Sequence, residues 1–363
     1  MSSVFIIAEA GVNHNGDYGL AFELVDSAVS AGADAIKFQT FISEDVVTKS
    51  ANKAVYQEST TSSSETQFDM IKKLELPYEW HFDLLRYCNK KGIKFLSTAF
   101  DKKSLDFLVD EIKIDVIKIP SGEITNAPFL LECAKKGKNL IVSTGMADMH
   151  EIEQALGIIA FGLLNNLNLK DKYSMSDFEQ AYHSLEGKKI LQTNVTLLHC
   201  TTEYPAPIED INLNAMASMR NTFGVDIGYS DHSKGITVPI VATALGATII
   251  EKHFTIDKNL LGPDHKASLD PKELENMINE IRLVEKMMGN GLKIPMLSEI
   301  NNKNVARRSL VATKKIIKGE IFTVDNLTAK RPGDGISPML YWEYLGKKSN
   351  NNYQPDDLIS SDK

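Results

Sequence analysis

Five residues far apart in the chain carry the chemistry this sequence can do: Glu9, Lys37, Lys118, His232 and His253. Each stands at or just after the end of a short apolar run, where a strand gives way to a loop. His232 and His253 close two consecutive runs, so their imidazoles can point into one space. Two histidines with other positions left open suit a divalent metal ion that also takes water and substrate oxygens. The plain alternative is a hydrogen-bonded structural pair. His199 is a weaker candidate, and His14 and His265 fall in loops where surface roles are common. Lys37 and Lys118 offer point charges, and Thr98, Ser121, Ser143, Thr144 and Ser230 offer hydroxyls. With Gly122 and Gly145, where backbone amides can approach a ligand, that set meets the needs of a phosphate. The lysines are also expected to form interior ion pairs with Glu9 and Glu123. A desolvated Lys118 could instead act as a Schiff-base nucleophile, although the histidine pair counts against it.

The elements that must position these residues repeat eight times. Apolar β-type runs at 5–8, 35–36, 95–96, 116–117, 140–142, 195–198, 225–228 and 248–250 each stop at polar or charged residues. Helical spacing separates them, as in Ala21, Leu24, Val25, Ala28 and Val29 before Gly32, or from Pro77 through Trp80 and Leu84 to Gly92. Buried parallel strands read as continuous apolar runs, and an eight-stranded βα barrel gathers its chemistry at their C-terminal ends. The expected fold is therefore α/β, a (β/α)8 TIM barrel with one shared pocket.

Two segments break the rhythm. Residues 41–68 are long and Ser/Thr-rich, as expected of a lid or substrate loop. Residues 163–188 read as a polar insertion, a surface decoration. The chain has 363 residues, more than the roughly 250 of a minimal barrel. The expected division is a barrel over 1–288, a linker over 289–304 and a small β-rich domain over 305–363. A net charge of −8 speaks against nucleic acid, which calls for a basic stripe. Cys88, Cys133 and Cys200 are too dispersed for a metal-type pair and fit buried sites in a reducing, cytosolic compartment. No run is long enough to span a membrane, and no signal peptide is expected.

At motif level the resemblance is close. Glu9-Ala10-Gly11-Val12-Asn13-His14-Asn15-Gly16, Lys37-Phe38-Gln39-Thr40, Lys118-Ile119-Pro120-Ser121-Gly122-Glu123 and Ser143-Thr144-Gly145-Met146 resemble the bacterial sialic acid synthases. So do Tyr229-Ser230-Asp231-His232, Glu251-Lys252-His253-Phe254 and Gly262-Pro263-Asp264-His265. The stretch Lys330-Arg331-Pro332-Gly333 resembles their C-terminal antifreeze-like (SAF) domain. The chain departs from the family at Thr202, where an asparagine often helps hold the phosphate-bearing substrate.

The resemblance implies a condensation of phosphoenolpyruvate with an N-acetylated amino sugar, giving a nine-carbon 2-keto acid and phosphate. It implies a divalent metal, Mn2+ or Mg2+, on His232 and His253, with Glu9 orienting or deprotonating water. Lys37, Thr98, Lys118, Ser121, Ser143, Thr202 and Ser230 would grip phosphoenolpyruvate. Gln39, Glu123, Tyr204, Asp264 and Arg331 would hold the sugar, with Arg331 reaching from the other subunit of a domain-swapped homodimer. N-acetylneuraminate is the first expected product, and legionaminate or pseudaminate from a 6-deoxy diacetamido sugar the alternative. A non-catalytic carbohydrate-binding protein is the remaining reading, opposed by the intact set of five chemical residues.

Overall fold

A computed structural model describes residues 3–54, 57, 65–165 and 173–360. Eight parallel strands close into a barrel in chain order: β1 (Phe5–Gly11), β2 (Ala35–Thr40), β3 (Lys94–Ala99), β4 (Val116–Ile119), β5 (Asn139–Ser143), β6 (Val195–His199), β7 (Asp226–Asp231) and β8 (Ile249–His253). Closure runs through β1 and β8, with Glu9 beside His253 in the register.

Period-two alternation explains what the barrel holds. Ile7, Ala35, Leu96, Ile141, Leu198 and Ile249 form one apolar layer in the interior. Two residues further along the same strand faces stand Glu9, Lys37, Thr98, Ser143 and Glu251, and from β4 and β7 Lys118 and Ser230. The opposite faces, including Ile6, Ile36, Phe38, Ile117 and Val142, are buried in the main core with apolar helix residues such as Leu24 and Leu84. Gly228 lets β7 fit this interior, because a β-carbon there would lie 2.5 Å from the Ile249 carbonyl oxygen. Overpacking of that kind costs about 1–3 kcal/mol.

The helices start and stop where short-range chemistry requires. Asp17 caps helix Tyr18–Ala31 by accepting from Leu20 N–H, and Gly32 ends it with φ +83°. Pro77 lies just before helix Tyr78–Lys91 rather than inside its first turn.

The structure corrects the reading of 163–188 as decoration. Helices Met175–His183 and Leu185–Asn194 follow helix Met149–Leu164, and Phe161 meets Tyr173 and Phe178 at ring distances of 5.5 and 5.3 Å. Aromatic burial makes this segment part of the helical layer; its residues 166–172 lie outside the described ones. Within 41–68, helices Ser43–Val46 and Gln67–Lys72 are formed, while most of the Ser/Thr-rich stretch (58–64) lies outside the described residues.

Residues Asn290–Lys363 make a second compact unit. Its β9 (Ser309–Ala312) and β10 (Leu327–Lys330) pair antiparallel, around a core of Leu310, Ile316, Phe322, Leu327, Tyr353 and Ile359. Part of the stretch expected as a linker is helical, Leu297–Ala306, with no buried side chain. Among the described residues no helix is long and apolar enough to cross a membrane.

Candidate active site

A buried network of four charges fills the top of the barrel interior. Lys37 Nζ lies 2.7 Å from Glu9 Oε2 and 3.6 Å from Glu251 Oε2, and donates to Thr98 Oγ1 at 2.9 Å. Lys118 Nζ donates to Ser143 Oγ at 2.7 Å and lies 3.6 Å from Glu251 Oε1. Ser230 Oγ donates to Glu251 Oε1 at 3.0 Å, and Gln39 Nε2 reaches Glu9 Oε1 at 3.4 Å. Charges this deep are stable only when paired.

Glu251, not Glu123, is the second carboxylate. Glu123 accepts instead from Asn126 Nδ2 at 2.6 Å, in the turn Ser121–Glu123 above β4. Glu251 is the residue the sequence reading left out of the site, although the signal was present: on a strand, His253 facing in requires Glu251 to face in. Asp231 and Lys252 alternate to the other face, where they pair with each other out of solvent.

Environment pushes the two carboxylates apart. Burial raises Glu9 to about 7 against the pull of Lys37. Burial would also raise Glu251, but Lys118 and Lys37 together hold it at about 2. Lys37 keeps its proton more firmly than usual because Glu251 and Glu9 outweigh its burial. Burial lowers Lys118.

The predicted phosphate donors separate into two groups. Ser121 Oγ accepts from Gly145 N–H at 3.0 Å and touches Cys200 Sγ at 3.1 Å. Thr202 Oγ1 is close by, buried and without a hydrogen-bond partner; a β-carbon on Gly145 would come within 2.2 Å of it. An unsatisfied buried hydroxyl beside a crowded glycine is a place for a ligand oxygen. Thr144 Oγ1 turns away to the Leu198 carbonyl, and around Gly122 there is only open space.

The imidazoles of His232 and His253 are neighbours, with ring centroids 5.6 Å apart. His232 Nδ1 is 2.7 Å from the Thr201 carbonyl oxygen, which can only accept, so the proton sits on Nδ1 and the lone pair on Nε2. That lone pair accepts from the Tyr204 hydroxyl at 3.0 Å, and the Tyr204 ring stacks on His232 at 4.1 Å. His253 Nδ1 is buried with no hydrogen-bond partner, and Asp264 Oδ2 is 4.0 Å away. Burial lowers both histidines' affinity for a proton, so both are neutral at pH 7.

Neutral imidazoles, one with an orphaned nitrogen, fit a divalent cation. Among the described residues there is no group of three or more His, Cys, Asp or Glu that could hold a metal ion, so these two side chains are the ligands the protein would supply. His199 Nε2 bonds to the Ile211 carbonyl at 2.8 Å, and its ring centroid lies 5.6 Å from that of Tyr229. His14 and His265 are fully buried rather than on the surface. His14 Nδ1 accepts from Gly16 N–H while its Nε2 is buried without a partner, and the His265 ring nitrogens bond to Thr255 and Asn15.

Gln39, Tyr204, His253 and Asp264 line a cavity of about 250 Å3 together with apolar residues, among them Phe41, Val46, Met70, Leu74 and Phe100. Burial raises the Asp264 carboxyl to about 6. Arg331 belongs to the C-terminal unit, where it is exposed and its Nε donates to the Ala306 carbonyl at 3.0 Å.

Fold and site together define a barrel enzyme with a charged interior layer beside paired neutral histidines. The chain belongs to the NeuB family, whose profile matches residues 24–293; a SAF domain matches residues 307–363. It is 48% identical to the N,N'-diacetyllegionaminic acid synthase of Campylobacter jejuni subsp. jejuni, over 99% of both chains. It is 44% identical to the enzyme of the same name from Legionella pneumophila subsp. pneumophila, over 95% of this chain and 90% of that one. A solved structure, the N-acetylneuraminic acid (sialic acid) synthetase of Leptospira borgpetersenii serovar Hardjo-bovis, is similar at 35% identity and a TM-score of 0.66. The match covers 83% of this chain and 90% of that one.

Proposed function

We propose that this enzyme condenses phosphoenolpyruvate with the aldehyde of an N-acylated amino sugar, and that the product is a legionaminic-type nonulosonate. The observation that carries the reaction is the buried layer of Lys37 and Lys118 beside two neutral histidines at the barrel mouth. N-acetylneuraminate, first in the reading of the sequence, gives way to its alternative because two similar relatives are named N,N'-diacetyllegionaminic acid synthases.

Each step has a residue to serve it. Lys37, Thr98, Lys118, Ser121, Ser143, Thr202 and Ser230 hold the phosphate and carboxylate of phosphoenolpyruvate. Carbon 3 of its enol attacks the sugar aldehyde, which forms the new C–C bond and leaves carbon 2 electron-poor. A water oriented by Glu9 adds to carbon 2 and loses a proton to that carboxylate. The proton then balances the one taken by the new sugar hydroxyl. Collapse of the tetrahedral centre forms the 2-keto group, breaks the bond between carbon 2 and the phosphate oxygen, and passes the remaining hydroxyl proton to the departing phosphate. His232 and His253 would hold Mn2+ or Mg2+, which supplies Lewis-acid stabilisation of charge developing on the aldehyde oxygen. Gln39, Glu123, Tyr204 and Asp264 position the sugar, with Arg331 from the second subunit of a homodimer.

The test is turnover in oxygen-labelled water with phosphoenolpyruvate and a panel of N-acylated amino sugars. Label should enter the keto acid and not the released phosphate. Label in phosphate, or a borohydride-trapped substrate adduct on Lys118, refutes this chemistry.

A further inference from the structure

We propose that Phe41, Met70 and Leu74 form a specificity wall for the C4–C6 end of the sugar. It selects an aldehyde carrying a methyl and a second acyl group there over one carrying hydroxyls. The inference rests on the reaction proposed above and concerns which sugar that site admits.

The cavity has two unlike sides. On one, Gln39, Tyr204, His253 and Asp264 surround the place where the aldehyde must react. On the other, Phe41, Met70 and Leu74 join Val12 in a buried cluster of their own, separate from the main core. Phe41 directly follows β2, so the strand that carries Lys37 and Gln39 also fixes the wall. Met70 lies on helix Gln67–Lys72 and Leu74 in the turn just past its end, and both pack into that one cluster. Phe100 supports Phe41 edge-on at 6.1 Å.

Because the aldehyde end is committed to the histidine side, the far end of the sugar is what meets this wall. Phe41 and Leu74 have no side-chain donor or acceptor, and Met70 offers only a weak sulfur acceptor. A hydroxyl pressed against them loses water and gains no partner, whereas a methyl gains from burial. Gln57 and Gln67 also line the cavity, and their amides match the polar atoms of an acetamido group.

The unmodified enzyme gives the first test, through kcat/KM for N-acetylmannosamine, its 6-deoxy analogue and the 6-deoxy diacetamido sugar. The 6-deoxy analogue should exceed N-acetylmannosamine by about tenfold or more, and the diacetamido sugar should exceed both. Equal or reversed values for the first pair overturn the wall, whatever the behaviour of any variant. In Met70→Gln and Leu74→Gln the 6-deoxy preference should shrink about tenfold, while Met70→Leu retains it. Each preference is a ratio within one protein, so a general folding loss cancels. An undiminished preference in both glutamine variants overturns the proposal. Absence of phosphate release with every sugar overturns the reaction and the wall with it; turnover without a methyl preference overturns the wall alone.

Discussion

The Glu251 carboxylate stands 3.6 Å from the Lys118 ammonium, and its second oxygen stands 3.6 Å from Lys37. One acidic side chain thus tethers both lysines while it receives the Ser230 hydroxyl. Glu251→Gln keeps the shape and deletes the charge, so the lysines should drift from their binding geometry. The KM for phosphoenolpyruvate is expected to rise about tenfold or more. Glu251→Ala leaves the lysines partly uncompensated and should cost about 3–5 kcal/mol of stability. Saturation kinetics and thermal melts check both; an unchanged KM and Tm would make Glu251 a bystander.

The acid limb of the pH profile should report Glu9. Its carboxyl is raised to about 7, and only the ionised form can take a proton from water. Log kcat/KM should therefore fall with a slope near one below about pH 7. A profile flat down to pH 5 would assign the base elsewhere.

Asp264 yields a stability test with a definite sign. Its folded value, about 6, exceeds the ordinary 3.8, so folding favours its protonated form. The resulting penalty is absent below about pH 4, grows between about pH 4 and 6, and is complete above that. Asp264→Asn should thus raise Tm at pH 7.5 and change it little at pH 4, while sugar binding weakens. An equal gain at both values would trace the effect to packing.

Binding of Mn2+ can be followed directly by titration calorimetry, without turnover. Affinity should be lost in His232→Ala and His253→Ala with circular dichroism unchanged, because strand-end side chains add little to the core. Chelation should abolish activity. Full rates after exhaustive chelation would defeat the assignment.

For Arg331 the expectation is complementation. An Arg331→Ala chain mixed with a His253→Ala chain should recover part of the activity, since one site of each heterodimer keeps both residues. Exchange of subunits without recovery would show that Arg331 does not act across a dimer.

The barrel was legible because each strand prints an apolar run before its polar end, as at Leu140, Ile141 and Val142 before Ser143. Glu9, Lys37, Lys118 and the histidine pair were legible for the same reason. Glu251 was passed over although strand alternation turns it inward with His253; what the sequence could not show is that it lies between Lys37 and Lys118. His14 and His265 misled because loop residues are usually wet, and here the loops fold over their own histidines. The wall at Phe41, Met70 and Leu74 could not be read at all. Its members come from a strand end and a separate short helix, and only tertiary structure brings them to one cavity.

The four-charge layer has one further consequence. Two lysines and two carboxylates come close to cancelling before any ligand arrives. An anion entering that layer leaves it with excess negative charge unless positive charge enters too, as a proton on Glu9 or a cation at the histidines. Linkage makes the effect mutual: a cation held at the histidines would tighten the anion by the same factor by which the bound anion tightens the cation.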